Sequence, residues 1–423
     1  MKLFINASLP TSSNALKKVN VLFDEKIIKI SADEIVTEES PEIIDLKGAI
    51  LLPGAVDPHS HLLDQSKDQA KTLRSSTKHA LQGGWTTVAE LSYISPRPIF
   101  GPEDLNKFKE LVAGNSYVDM PVWGSVNIDD YPYHAEGAQL LWNKGVVGLS
   151  LASPSPNPAV QEMSFAEIMD LFLDIYESDT SFAFQGYDEE LGRGFDIGSQ
   201  REAIKKLLRR SQENPIHIPR VSSYDTTEFI NSISKRSDIT YAITISDMME
   251  LFDGIANPAG YITDWNEYQD MFFDLLRTNK IYIFSNNAES HLTDVSEAYR
   301  GTPVDLMRIS YVWILSEFWK RRKIPLSSCI KMVSENPAKR LGIYPVKACL
   351  EAGSDADFVI YDPEDTTTYT TTGGESRTLT GAIKSVWLRG NQAFNGKKTA
   401  EPTGVFLPRH ANPKRRHNKT TWI

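Results

Sequence analysis

Through the middle of this chain, short apolar runs alternate with amphipathic helical stretches, and no other feature restricts the fold as much. Residues 86–91, 146–149, 182–184, 216–218, 240–243 and 281–284 read as buried strands, and 200–211 and 303–320 as helices. Repeated strand-then-helix units require a parallel sheet, because each helix carries the chain back to start the next strand. This many units suit a closed (β/α)8 barrel of the TIM type, assigned to residues 56–342. The flanks follow a different pattern. Residues 19–23, 26–30 and 49–52 are strand-like, as are 357–361 and 383–388, with turns at Asp362-Pro363 and Arg389-Gly390-Asn391. Segments 1–55 and 343–423 are therefore expected to pair as one small β-sandwich with a C-terminal tail. Residues 365–374, rich in threonine, read as an exposed loop. Residues 410–419 are basic and read as a mobile tail or an arm on a neighbouring subunit.

Composition narrows the function. The chain has 423 residues and a formal net charge of −10, which argues against a nucleic-acid binder, since such proteins show a basic face. Two cysteines, Cys329 and Cys349, cannot build a disulfide framework, and a reducing, cytoplasmic setting is expected. No run of roughly 18 apolar residues suggests a membrane span. The first six residues read as a strand of the mature protein and not as a signal peptide.

The most specific motif is Pro53-Gly54-Ala55-Val56-Asp57-Pro58-His59-Ser60-His61-Leu62. On a strand, His59 and His61 share a face, because side chains alternate with period two. The motif resembles the first-strand signature of the amidohydrolase superfamily, especially dihydroorotases, hydantoinases (dihydropyrimidinases) and allantoinases. Asn257-Pro258 resembles that group's substrate loop, and residues 334–342 resemble its Asn-Pro-Ala helix. Residues 352–359, 379–382 and 388–390 resemble its return into the β domain.

The resemblance implies two metal ions at the C-terminal mouth of the barrel. Their ligands would be the two histidines, a carboxylated lysine, two further histidines and an aspartate that handles the proton. Metal serves this chemistry because bound water ionises near pH 7, against about 15.7 in bulk. His59 and His61 match the first pair. The lysine position is Ser150, the next histidine is Gln185, the fourth is Arg220, and the aspartate is Asn286. A guanidinium about 4 Å from a divalent ion is repelled by roughly 8 kcal/mol at an effective dielectric of about 20. Arg220 is instead expected to organise Asn286, Gln185 and neighbouring acids, or to grip an anionic ligand through its planar fork. His217 survives nearby, three residues too early for a ligand. Substrate positions differ too. Leu63 stands where dihydroorotases carry arginine, Tyr93 where they carry asparagine, and Asp247 where hydantoinases carry histidine. Tyr93 and Asn257 are the candidate substrate contacts. Asp247 and the run Asp188-Glu189-Glu190 read as solvated loop charges.

No catalytic residue is therefore assigned with Ser150, Gln185, Arg220 and Asn286 in place. No cofactor is expected, or zinc at low occupancy on His59 and His61. The favoured expectation is a non-catalytic homologue acting as a scaffold or regulatory partner, for example of a pyrimidine-pathway enzyme such as aspartate transcarbamoylase. The alternatives are an active cyclic amidase with a rebuilt one-metal site, and a small-molecule sensor. The resemblance also implies a homo-oligomer, with a metabolic enzyme or a small molecule as further partners and neither nucleic acid nor membrane.

Overall fold

The computed structural model describes the chain except for residues 12–14, 39, 65, 94–97, 127–132, 154–165, 168–169, 171–172, 174–179, 187–196, 211–213, 222, 235–237, 254–264, 290–301, 371–374 and 411–423. It opens with β1 (Lys2–Pro10), β2 (Leu16–Phe23), β3 (Ile27–Ser31), β4 (Glu42–Asp45) and β5 (Ile50–Pro53). The barrel follows: β6 (Ala55–Ser60), α1 (Gln69–Gln82), β7 (Trp85–Glu90), α2 (Pro102–Val112), β8 (Gly124–Ser125), α3 (His134–Asn143), β9 (Leu149–Ser153) and β10 (Phe182–Gly186). It continues through α4 (Ile197–Arg210), β11 (Ile216–Ile218), α5 (Tyr224–Ile233), β12 (Ile239–Thr244), α6 (Ile245–Asp253), α7 (Trp265–Arg277) and β13 (Ile283–Ser285). A short pair, β14 (Ala288–Glu289) and β15 (Thr302–Pro303), precedes α8 (Met307–Ile314), and β16 (Phe358–Thr370), β17 (Ser376–Leu388) and β18 (Asn391–Phe394) end the chain's strands.

Eight parallel staves close the barrel. β6 pairs with β7, and β7 bridges to residues 119–122 through Thr87–Asp119 and Glu90–Val122. β8 then pairs with β9, and parallel neighbours run on through β10, β11 and β12 to β13. Closure comes where Ser285 Oγ and the Asn286 N–H reach back to Asp57 and the His59 carbonyl on β6. Every residue of β6, β7, β9 and β10 is buried, as expected of staves covered on both faces.

The terminal strands form one sheet in the order β18-β17-β16-β5-β1-β2-β3, with β4 beside β1. Neighbouring strands lie about 4.8 Å apart, so a flat sheet would hold β17 and β2 far from each other. Yet Trp387 of β17 stands 5.8 Å from Phe23 of β2 and 5.1 Å from Phe4 of β1. The sheet must therefore curl over this aromatic cluster, which Phe358 completes. A buried ion network joins it to the barrel. Lys347 Nζ lies 2.5 Å from Asp119 and 2.8 Å from both Asp355 and Asp357, and Arg389 also pairs with Asp119. Residues 404–410 return as a strap, with backbone bonds to Ser116, Met120, Gly145 and Gly342.

Several sequence expectations are corrected. Residues 362–370 continue β16 with a register shift and pair with β17, so neither a turn at Asp362-Pro363 nor a loop at 365–370 is present. The threonines are β-branched and pair across the strands, Thr366 with Thr380 and Thr368 with Thr378, which favours a strand. The expected strand 146–149 lies three residues later, and the stave at 119–125 went unrecognised because its pairing is so short. The helix expected at 303–320 is 3-10 over Val304–Leu306, α over Met307–Ile314 and π-wound over Leu315–Arg321. His410 donates its N–H to Gly342; the rest of the basic segment, 411–419, lies outside the described residues. Among the described residues no helix is long and apolar enough to cross a membrane.

Candidate functional site

The C-terminal ends of the staves converge on a buried polar cluster. His59 and His61 stand on β6 and just beyond it, both essentially inaccessible. His59 Nδ1 lies 3.1 Å, and His61 Nε2 3.2 Å, from the Asn287 side-chain oxygen. His61 Nδ1 is 2.5 Å from the Leu91 carbonyl oxygen and 3.7 Å from Asp64. Burial pushes His59 down to about 3, assisted by His61, and pushes His61 down to about 4. Both rings are therefore neutral at neutral pH.

Two carboxylates lie behind this pair, and the sequence reading missed both. Asp57 accepts from Ser60 Oγ and Ser285 Oγ, each at 2.6 Å, and burial raises it to about 6 despite those bonds. Glu90 accepts the N–H groups of Leu62 and Leu63 and the Ser92 hydroxyl, and burial raises it to about 7. Asp57 carried a signal, since it shares the parity of His59 and His61 along β6. Glu90 carried none, because only the folded barrel brings it near.

The other candidate positions are placed as follows. Ser150 on β9 is buried, its hydroxyl 3.3 Å from Ser125 Oγ and from the Gly124 carbonyl. Gln185 is buried on β10. Asn286 is fully buried, and its amide leans toward Asp57 without reaching hydrogen-bonding geometry; neither Nδ2 nor Oδ1 has a bond. Arg220, after β11, grips Asp247 with both arms of its fork, Nε to Oδ2 and Nη2 to Oδ1, each at 3.0 Å. Asp247 is thus no solvated loop charge: it sits in the first turn of α6 because a largely buried guanidinium needs a partner. Nor does Arg220 hold Asn286, whose side chain has no hydrogen bond. Tyr93 stacks on His61 at 5.2 Å, with its N–H on Asp64. Asn257 and Asp188-Glu189-Glu190 lie outside the described residues. His217 comes closer than its spacing implied, its ring 5.5 Å from His59 and stacked on Trp123 at 6.3 Å. Its Nδ1 meets Thr240 Oγ1 at 3.0 Å, while its Nε2 has no bond.

Residues 298–402 match the Amidohydrolase family. An allantoinase of Streptomyces avermitilis is 24% identical over 406 residues, covering 86% of this chain and 89% of that one. A dihydroorotase of Elusimicrobium minutum is 25% identical over 358 residues, covering 79% and 82%. Among solved structures, L-hydantoinase (dihydropyrimidinase) from Arthrobacter aurescens superimposes with a TM-score of 0.79 at 20% identity, over 96% of this chain and 99% of that one. A D-hydantoinase gives 0.80 at 19%, over 97% and 99%. The fold is that of a TIM-barrel amidohydrolase. The chain is thus similar to amidohydrolases, with relatives among allantoinases, hydantoinases and dihydroorotases.

That family is ordinarily metal-dependent, and the residues here do not fit a metal pair. Among the described residues no group of three or more His, Cys, Asp or Glu side chains is arranged to hold an ion. A serine hydroxyl, two carboxamides and an arginine supply neither the anionic nor the imidazole donors that zinc takes.

Proposed function

We propose that this cyclic-amidohydrolase homologue does not perform metal-dependent ring opening and acts instead as a scaffold or regulatory partner for another protein. The observation that carries the reading is the Arg220–Asp247 ion pair, with Nε and Nη2 at 3.0 Å from the two carboxylate oxygens. It fixes a positive charge where the family resemblance expects a metal ligand, and it engages the Asp247 carboxylate. Asn286 adds to the case, since a carboxamide has no useful basicity for the proton that the aspartate would handle. Metal analysis tests the reading. Purified chain is expected to carry no stoichiometric zinc and to leave dihydroorotate, hydantoin and allantoin intact. Two tightly bound zinc ions per chain, or turnover lost in His59→Ala, would sink it. The partner is proposed as a pyrimidine-pathway enzyme and the assembly as a homo-oligomer in the cytoplasm; co-purification and light scattering test these.

One observation favours a second reading, a sensor of a small neutral ligand. His217 Nε2 and both polar atoms of Asn286 are buried without hydrogen bonds, and buried polar groups ordinarily have partners. A ligand bridging them at about 100 times its dissociation constant would add about 2.7 kcal/mol of stability. A thermal-shift screen of cyclic ureides separates this sensor from a pure scaffold.

A further inference from the structure

Resting on the reading that no metal pair is held, we propose that the Asn287 carboxamide stands between His59 and His61 in place of a cation. It touches both rings, at 3.1 Å and 3.2 Å, and closes the pair against metal.

The contacts carry the argument. His61 Nδ1 faces two acceptors, the Leu91 carbonyl at 2.5 Å and Asp64 at 3.7 Å, so this nitrogen bears the proton. A neutral ring then has its lone pair on Nε2, the atom that a metal would take, and it lies 3.2 Å from the Asn287 side chain. His59 Nδ1 lies 3.1 Å from the same Asn287 side-chain atom. The carboxamide therefore touches both rings at once and fills the space between them.

The clamp is held in place by its own backbone. Asn287 has φ of +46°, a left-handed conformation that asparagine, aspartate and glycine accept more readily than other residues. The Asn287 N–H donates to Ser285 Oγ at 2.9 Å. On either side, Asn286 N–H bonds Asp57, Ala288 N–H bonds Ser60 Oγ at 3.0 Å, and His61 N–H bonds the Ala288 carbonyl at 2.7 Å. The 285–288 turn is therefore stitched to β6 and to His61 beyond it by three of these bonds, and the carboxamide reaches the rings already ordered.

The test is titration of the full chain with zinc or cobalt(II), comparing wild type with Asn287→Asp and Asn287→Gly, which both suit the backbone. Removing the clamp is expected to tighten metal binding by roughly 10- to 100-fold, most in Asn287→Asp, where a carboxylate joins two imidazoles. Wild type binding as tightly as Asn287→Asp overturns the clamp. Neither variant gaining affinity overturns it too, while wild type without metal leaves the proposed function standing. Two zinc ions in wild type sink both. Nitrogen-15 spectra of wild-type histidines give a check independent of variant folding. A proton on His61 Nδ1, which leaves Nε2 to the carboxamide, supports the clamp, and a proton on His61 Nε2 overturns it.

Discussion

Glu90 and His61 sit close together in one buried cluster and titrate in opposite senses. In the unfolded chain Glu90 ionises near 4.5, but in the folded protein burial raises it to about 7. The folded state holds the extra proton between those values. The Glu90 contribution to stability is thus fully present below about pH 4.5 and is lost as pH rises through about 7. The histidines do the reverse. Their unfolded rings take protons near 6.5, while His59 and His61 refuse them until about 3 and 4, so their cost grows as pH falls below 6.5. Glu90→Gln removes the first effect and keeps the second. Urea unfolding from pH 5 to 8 should show the variant gaining on wild type by on the order of 2 kcal/mol across that range. A difference that stays constant with pH would refute the assignment. At this scale the sequence revealed what local spacing encodes. His59 and His61 are adjacent on one strand face, and period two is enough to pair them. Asn287 closes on them from 226 and 228 residues away, and no local pattern announces such a contact. Arg220 and Asp247 are 27 apart, close along the chain, yet on different elements whose docking alone makes them partners.

Among the secondary-structure elements, α1 meets α8 through a bare backbone. Gly83 caps α1, and a Cβ there would lie 1.9 Å from the Met307 carbonyl oxygen and within 3 Å of Arg308. Its φ of −83° is ordinary, so the requirement is space and not conformation. Gly83→Ala should push the two helices apart and destabilise the fold by about 1–3 kcal/mol, measured as a lower urea midpoint at unchanged m-value. An unchanged midpoint would mean that the contact is looser than described. Elements with strong periodicity, such as α4 and β10, were legible to within a few residues. The stave at 119–125 was not, because its pairing spans only isolated bridges and two residues of β8. The threonine-rich end of β16 differs for another reason: its polar side chains suggest a loop, whereas branching at Cβ favours a strand.

For the molecule as a whole, the barrel and the terminal sheet are bound by charge as well as by packing. Lys347 is 1% exposed and serves Asp119 of the barrel together with Asp355 and Asp357 of the return segment. Attraction to the three carboxylates outweighs burial and holds its ammonium above the usual lysine range. Lys347→Met would leave those carboxylates short of a cation in a dry setting. The expected loss is about 3–5 kcal/mol, with thermal unfolding separating into two steps as the terminal sheet releases before the barrel. A single transition with unchanged midpoint would show that packing alone joins the two. The barrel class was legible from the alternation of strands and helices. The curl of the terminal sheet was not, since it depends on Phe4, Phe23, Phe358 and Trp387 meeting from segments more than three hundred residues apart.

The strap at 404–410 has a consequence for how this protein is made. Its backbone bonds Ser116, Met120, Gly145 and Gly342, and β3 is one edge of a sheet whose other edge, β18, begins at Asn391. A ribosome that has delivered three hundred residues has released every early stave but neither the cover over them nor β16, which pairs with β5. Until the last part of the chain emerges, the nascent barrel has exposed apolar surface and an unfinished edge. Chaperone dependence during synthesis should therefore be greatest just before the strap appears.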